Sequence, residues 1–528
     1  MRRFHYVMCA LLALTWTAPL LAQEPTNTVR GRITDHTTQQ PIAGATVTVA
    51  GRSALTQADG RFTISGVPIG PATVTARMVG YAPLMQPVNV TEGEAVVVDL
   101  GLVAQAINLA EIVVTGYGEQ RAGNITGAVS RLDSAEFNRG RVISPEALIQ
   151  NKIPGVQVIE SNEPGGGVSI RVRGPTSVDA SSEPLYVVDG VPVGIARGAG
   201  GGLSAGRNPL NFINPNDIES MTVLRDASSA AIYGANAANG VIIITTKRGG
   251  QTPQVDYQGS TSASAITRLP DMLNAAQFRT AVQNYGSPSQ ISQLGSENTD
   301  WFSHVDQTAF GQEHNVSVSG RGESTDWRLS GGYLGQDGVI RGTTVERLSL
   351  GLSLNQRLFD DRLDVRAALR GARVDDKFTP GGVLSNAAQM GPTQPVFDPA
   401  TTTGYYDWPG NTLQSADNPV AILGLARDKG RTYRSIGNLQ ASYALPFVQG
   451  LKANVNVGFD IAEAERQTFF PSVLHGQSKS GIDGSDYRSD FSESNTTLEM
   501  FANYLAPIRA IPGTIDLTGG YSFSQSHA

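Results

Sequence analysis

From about residue 253 the chain settles into long runs in which apolar and polar residues alternate, and this pattern limits the fold more than any other feature. Val316-Ser317-Val318-Ser319, Trp327-Arg328-Leu329-Ser330, Leu348-Ser349-Leu350-Gly351-Leu352-Ser353-Leu354 and Leu363-Asp364-Val365-Arg366-Ala367-Ala368-Leu369 suit a wall with lipid on one side and a wet lumen on the other. After the first 22 residues no segment approaches the roughly 20 apolar residues of a membrane-spanning helix. If the chain crosses a membrane it does so as strands. Every backbone amide must be paired inside lipid, so those strands must belong to a closed barrel. Asp337-Gly338 and Asp360-Asp361 read as tight turns, and residues 404–418 and 476–490 as long loops, the two-rim habit of outer-membrane barrels.

About nine strands can be counted, the last four within residues 438–443, 452–459, 496–504 and 515–523. A plugged transporter barrel needs about 22 strands, so residues 253–528 cannot close one. The sequence is expected to be an N-terminal fragment whose barrel continues beyond Ala528. A barrel of eight or ten strands is the alternative, with a lumen too narrow for a folded stopper.

The first 22 residues have the layout of a cleaved secretory signal: Arg2 and Arg3, an apolar run through Leu11-Leu12-Ala13-Leu14, and Ala22 before Gln23. Cys9 is the only cysteine, so the mature chain can form no disulfide and has no thiol chemistry. The whole chain has 40 Lys and Arg against 47 Asp and Glu. Losing Arg2 and Arg3 leaves 38 against 47, a net charge of −9, which makes nucleic acid an unsuitable partner.

Residues 28–103 carry an antiparallel β signature, with Thr46-Val47-Thr48-Val49 and Thr73-Val74-Thr75-Ala76 alternating and Asp59-Gly60 expected as a hairpin turn. About seven short strands make a small sandwich. Residues 111–118 form a short β-prone segment, in which Ile112, Val113, Val114 and Thr115 supply the propensity and Gly116 stops it. The alternative is that this segment is simply the last sandwich strand.

Residues 122–250 read as a compact α/β domain. Ser144 caps a short helix with Pro145 at its first position, and Pro154-Gly155 ends it. Ile170-Arg171-Val172-Arg173-Gly174 alternates, which puts both arginines on one face. Residues 213–249 read as turn, strand, helix and strand: Asn214-Pro215-Asn216-Asp217, then residues 218–224, a helix capped by Asp226 and ending at Gly234, and Val241-Ile242-Ile243-Ile244 buried on both faces.

Residues 213–249 resemble the end of the plug domain in TonB-linked outer-membrane receptors of the SusC/RagA type. Four more matches stand in the family's order: Glu111-Ile112-Val113-Val114-Thr115-Gly116-Tyr117-Gly118, Ile170-Arg171-Val172-Arg173-Gly174, Leu185-Tyr186-Val187-Val188-Asp189-Gly190 and Asp300-Trp301-Phe302. Residues 28–103 look like the carboxypeptidase-regulatory-like domain that often precedes such a plug, on Gly31-Arg32-Ile33-Thr34-Asp35, Pro41-Ile42-Ala43-Gly44-Ala45 and Gly80-Tyr81.

The resemblance implies a mainly β protein: signal peptide 1–22, β-sandwich 28–103, TonB-box-like segment 111–118, α/β plug 122–250 and an incomplete antiparallel transmembrane β-barrel at 253–528. Residues 111–116, Glu111 to Gly116, would be the handle to which TonB of the inner-membrane energising complex adds a strand, although the family's usual Asp-Glu is Ala110-Glu111 here. Arg171, Arg173, Gly174, Asp189 and Gly190 would be plug-motif residues. The arginines would meet acids on the wall or within the plug, with Glu219 and Asp226 as candidates. The glycine-rich run 194–206 reads as a mobile plug loop at the outward apex, where Arg197 and Arg207 would touch substrate.

The expected function is energy-coupled uptake of an oligosaccharide or peptide across the outer membrane, with a SusD-like surface lipoprotein as lid. A surface adhesin or structural β-protein and a passive porin are the alternatives. No enzyme, cofactor or metal is expected. No two of the six histidines have zinc-site spacing, and neither Gly165-Gly166-Gly167 nor the run 194–206 has the P-loop lysine. Gly202-Leu203-Ser204-Ala205-Gly206 matches G-x-S-x-G without the strand and helix that expose a nucleophile. Asp483, Asp486 and Asp490 are read as a solvated acidic loop in preference to a calcium site.

Overall fold

The structure is a computed structural model. It describes residues 27–527 except 37, 79–80, 82–83, 92, 94, 104–111, 116–117, 122–128, 141, 162, 173, 175–181, 194–207, 227–230, 251, 410–414 and 508–513. The chain divides into two units at residues 111 and 112.

The first unit is a two-sheet sandwich. In one sheet Thr28–Asp35 pairs antiparallel with Arg61–Ser65 and parallel with Ala95–Val97 and Leu100–Leu102; the other has the order Arg52–Leu55, Thr46–Val49, Gly70–Arg77, Leu84–Val90. Alternate residues Val29, Ile33, Val47, Val49, Phe62, Ile64, Val74 and Ala76 fill the space between the sheets. The Asp59-Gly60 turn is tight, with Gly60 at φ 78°, but it does not join hairpin neighbours. It carries the chain from one sheet to the other, because Arg52–Leu55 and Arg61–Ser65 belong to different sheets.

The plug, in the second unit, is built on a five-stranded sheet in the order Val129–Asp133, Ile218–Leu224, Val241–Thr246, Leu185–Val188, Val191–Pro192. Val241–Thr246 is central and buried on both faces, as an uninterrupted Val-Ile-Ile-Ile run requires. A separate hairpin, Val156–Glu160 with Val168–Val172, places Ile170 and Val172 in the same core. Ser144 caps a 3-10 helix at Pro145–Ile149, and Asn214 caps another at Pro215–Asp217. The helix expected to end at Gly234 instead appears as a 3-10 segment, Ala231–Ala237, that passes through Gly234 at φ 66°, a left-handed kink open to glycine at no steric cost.

Nine antiparallel strands follow in strict sequence order, from Gln254–Ser264 to Thr514–His527, and among the described residues the sheet is open at these two edge strands. Thr344–Leu358 shows why the alternation matters: Leu348, Leu350, Leu352 and Leu354 are exposed on one face, while Arg347 and Ser349 are buried against the plug on the other. A one-residue slip would exchange the two faces.

Connections 265–308, 338–343, 378–409 with 415–426, and 471–484 lie at one rim, and 322–324, 359–362 and 445–450 at the other. The long connections fold into short helices over a shared apolar cluster of Trp301, Phe302, Ile340, Val383, Ile422 and Leu474. Asp300 caps the Trp301–Val305 helix and the Trp301 indole donates to the Gly391 carbonyl at 3.0 Å, so the Asp-Trp-Phe motif is a loop clasp. Asp337-Gly338 falls at the long-loop rim, not the short-turn rim, because strand direction alternates. The expected loop 476–490 ends at 484, where Ser485–Pro507 begins; Asp486 and Asp490 are strand residues paired with Phe469 and Glu465. Among the described residues there is no metal-binding cluster.

Candidate functional site

The residues that bring chemistry together lie where the plug meets the wall. At the end of Leu185–Val188 the chain reverses through Asp189 (φ 48°) and Gly190 (φ 86°). That bend turns the Asp189 carboxylate onto Thr246, whose backbone N–H donates at 3.0 Å and whose hydroxyl donates at 2.7 Å. From the wall, Arg370 completes the group with a 2.6 Å ion pair to Asp189 and a bond to the Thr246 hydroxyl. Wall Asn438 donates to the Asp189 carbonyl at 2.9 Å. A Cβ on Gly190 would stand 3.1 Å from the Asn456 amide nitrogen, so the Asp-Gly pair is set by both turn geometry and close approach.

A second contact is made by Asp217 at the 3-10 turn: its carboxylate takes Arg328 at 3.0 Å and the Ser330 hydroxyl at 2.8 Å. Beside it, Asn214 bonds Asn315 and Asn216 donates to Glu313 at 2.9 Å. Residues 208–213 make the third. Wall Arg347, 2% exposed, donates to the carbonyls of Ile143, Asn211 and Ile213 at 3.2 to 3.4 Å. Arg434 donates to the Pro209 carbonyl at 3.1 Å, lies over the Phe212 ring and pairs with Asp460 at 2.6 Å. A void of about 100 Å³ beside Gly190, lined by Arg248, Asn456 and Glu499 among others, is polar enough to hold water.

Burial displaces several ionisable groups in the plug, Glu146 and Lys247 among them. Glu146, fully enclosed, has its carboxyl pushed up to about 7; the Asn208 amide at 2.7 Å opposes that shift without cancelling it. Lys247 is lowered, first by burial and then by the Arg328 charge. Among the described residues the contact is made of ion pairs, hydroxyl–carboxylate bonds and arginine–carbonyl bonds. Chemically it is a largely polar seat for the plug, with an apolar contact where wall residue Ile436 joins the plug core.

Asp189 and Gly190 are thus at the seat. Arg171 is half-buried on the hairpin beside core residues Ile170 and Val172, and Gly174 follows at φ 91°. Glu219, expected to meet the arginines, lines a separate cavity with Arg131, Lys247 and Arg328. Arg173, Arg197, Arg207, Glu111, Gly116 and the G-x-S-x-G pentapeptide lie outside the described residues. Ile112–Thr115 is extended, yet one edge is already paired antiparallel with Gly118–Arg121, from Ile112 opposite Arg121 to Thr115 opposite Gly118. The free backbone expected there is therefore one edge, not two. The partners Arg328, Arg347, Arg370 and Arg434 were not singled out, since each sits in an ordinary alternating strand. Their only local signal is a long cation on the wet face.

Residues 121–241 match the TonB-dependent Receptor Plug Domain family, and residues 28–103 the Carboxypeptidase regulatory-like domain family. TonB-dependent receptor SusC of Bacteroides thetaiotaomicron is 31% identical over 92% of this chain and 49% of its own length. This chain belongs to the TonB-dependent receptors. TonB-dependent receptor P3 of Formosa agariphila is 32% identical over 94% of the chain and 48% of its own length, so the chain spans about half the length of the curated relatives it matches. The RagAB peptide importer in its open-open state superposes with a TM-score of 0.63 at 22% identity, over 79% of this chain and 50% of that one, which shows a shared fold. Membership places the chain in the outer membrane, with the leucine face of its wall toward lipid. The long-loop rim then faces outward and the short-turn rim the periplasm.

Proposed function

We propose that this chain imports a nutrient across the outer membrane, with the nine-strand sheet as part of the path, the plug as the gate and residues 111–116 as the handle. The observation that carries the reading is the seat itself: a separately folded domain held to the lumen face by Asp189–Arg370, Asp217–Arg328 and the arginine–carbonyl contacts. These contacts are polar and can be replaced by water once the plug moves, so the gate opens when work is done on it. That work must come from outside, because the outer membrane has no nucleotide supply or ion gradient. The handle fits this role: the open edge of Ile112–Thr115 accepts another strand, and the plug's exit strand leads into the wall at the short-turn rim, where Gln254 pairs with Ser319.

The names of the relatives suggest TonB as the energising partner and, from the RagAB importer, a peptide as substrate; the sequence resemblance to SusC/RagA-type receptors adds a SusD-like lipoprotein on the outer face and an oligosaccharide as the other candidate substrate. The test replaces residues 111–118 by a Gly-Ser segment of equal length and measures accumulation of labelled substrate by cells with and without a proton-motive force. The reading requires that both treatments stop uptake while the receptor stays in the outer membrane. A passive porin would keep conducting, and an adhesin would show no accumulation to lose.

A further inference from the structure

At the short-turn rim, on the periplasmic side of the gate, a cavity of about 460 Å³ opens between the plug's exit strand and the first wall strands. One side of it is backbone. A Cβ on Gly249 would stand 2.6 Å from the Trp327 nitrogen and 3.0 Å from the Gly320 carbonyl oxygen, so the chain leaving the plug runs directly against the wall. Six charged side chains line the cavity, and two of them are already matched: Arg131 pairs with Asp133 at 2.8 Å and Arg328 with Asp217 at 3.0 Å. The other four, Lys247, Arg248, Glu219 and Asp256, form no ion pair among the described residues.

Local structure puts these four in place. Glu219 is the extra residue of a β-bulge, since Ile218 faces Thr246 and Ser220 faces Thr245, and the bulge turns its carboxylate out of the ladder toward the cavity. Asp256 comes from wall strand Gln254–Ser264 and accepts a bond from the Gln254 amide. Lys247 is anchored by its backbone N–H, which donates to the Asp217 carbonyl at 2.8 Å, and its ammonium feels the fields of Glu219 and Asp256 without pairing with either. Two cations and two carboxylates therefore surround one space and do not pair across it. A lone anion is repelled by the acids and a lone cation by the bases, whereas a molecule carrying both charges apart from each other suits all four.

We propose that this cavity binds a short zwitterionic peptide, its ammonium on Glu219 and Asp256 and its carboxylate on Lys247 and Arg248. The volume lies in the range of ordinary small-molecule sites, roughly 300–1,000 Å³. A three-residue chain reaches about 10 Å when extended, enough to hold its two charges apart. As a station on the exit side of the gate the site rests on the import reading and names its substrate class. As a binding site it needs neither the handle nor an energy source. Binding retained without energised uptake counts against the import reading alone, and uptake retained without binding counts against this site alone.

The test is calorimetric titration of the protein in lipid nanodiscs with trialanine, N-acetyl-trialanine and trialanine amide. Trialanine should bind about tenfold more tightly than either blocked form, as one charge-assisted contact at each end implies. Glu219→Gln with Asp256→Asn should erase the preference over the acetylated peptide and leave the preference over the amide. Lys247→Gln with Arg248→Gln should do the reverse. Bound trialanine should slow amide exchange at residues 245–249 and leave the outward connection 265–308 unchanged, which separates this cavity from any peptide seat on the outer side. No binding to the unaltered protein, equal affinity for the three peptides, a preference that survives its own double variant, or protection at 265–308 in place of 245–249 would each overturn the proposal.

Discussion

Asp189 is held on three sides, by two donors from Thr246 and by Arg370, and the side chains of the ion pair are 15% and 10% exposed. Removing the cation leaves a nearly enclosed carboxylate with neutral partners only, which is costlier than losing an attraction at a surface. Arg370→Met is expected to weaken plug seating by roughly 2–4 kcal/mol, the lower part of the buried-pair range because some solvent contact remains. Faster amide exchange through residues 241–246 and a raised ion leak in planar bilayers would report it. Arg373→Met removes an exposed partner of Asp375 and should change neither measurement. Glu146 gives a pH test. Its carboxyl is raised in the folded plug, so its contribution is fully present below about pH 4.5, where the unfolded chain is also protonated, and is lost as pH rises to about 7. Glu146→Gln should flatten that part of the stability profile and stabilise the plug at pH 8 by about 3 kcal/mol, readable as a higher urea midpoint for the plug.

At the scale of elements, the hairpin of Ile112–Thr115 and Gly118–Arg121 poses a choice that sequence did not reveal. A partner strand must either add to the open edge or displace Gly118–Arg121. Val114 and Glu119 are directly opposite, and the one cysteine of the sequence, Cys9, lies far from them along the chain. A Val114→Cys, Glu119→Cys disulfide should therefore leave uptake intact, because the outer edge of Ile112–Thr115 stays available. Uptake that stops on oxidation and returns with reductant would mean the hairpin has to open. Strand lengths were the other element poorly legible in advance. Residues 452–459 announced a strand by alternating apolar residues, yet the strand runs Leu451–Phe470. Its second half, with Glu463, Glu465 and Arg466, continues past the apolar band on backbone pairing and polar side-chain contacts such as the Arg466–Asp428 pair. The period of two marks lipid contact, not the ladder, and it fails where the ladder rises above the membrane.

For the whole molecule, the order of domains, the plug's central strand and the lumen-and-lipid alternation were legible because each is a local pattern of hydrophobicity. The seat was not. Arg370 lies 181 residues from Asp189 and Arg434 lies 225 from Pro209, and nothing in either neighbourhood distinguishes a cation that meets the plug from one that meets water. The two parts also differ in what holds them. The wall is a continuous ladder of backbone bonds, whereas the plug meets it through side-chain contacts and a small apolar patch at Ile436. Urea should therefore release the plug first. Trp301, Trp327 and Trp408 lie in the wall and its loops and no tryptophan falls within residues 122–250, so indole fluorescence reports mainly the wall and its loops. Amides of residues 242–244 should lose protection at a urea concentration where the fluorescence is still native, and Arg370→Met should widen that gap by lowering the first transition alone. A single transition seen by both measurements, moving as one in the variant, would mean the plug and wall fold as an inseparable unit. A gate of that kind could not be drawn aside without taking the wall with it.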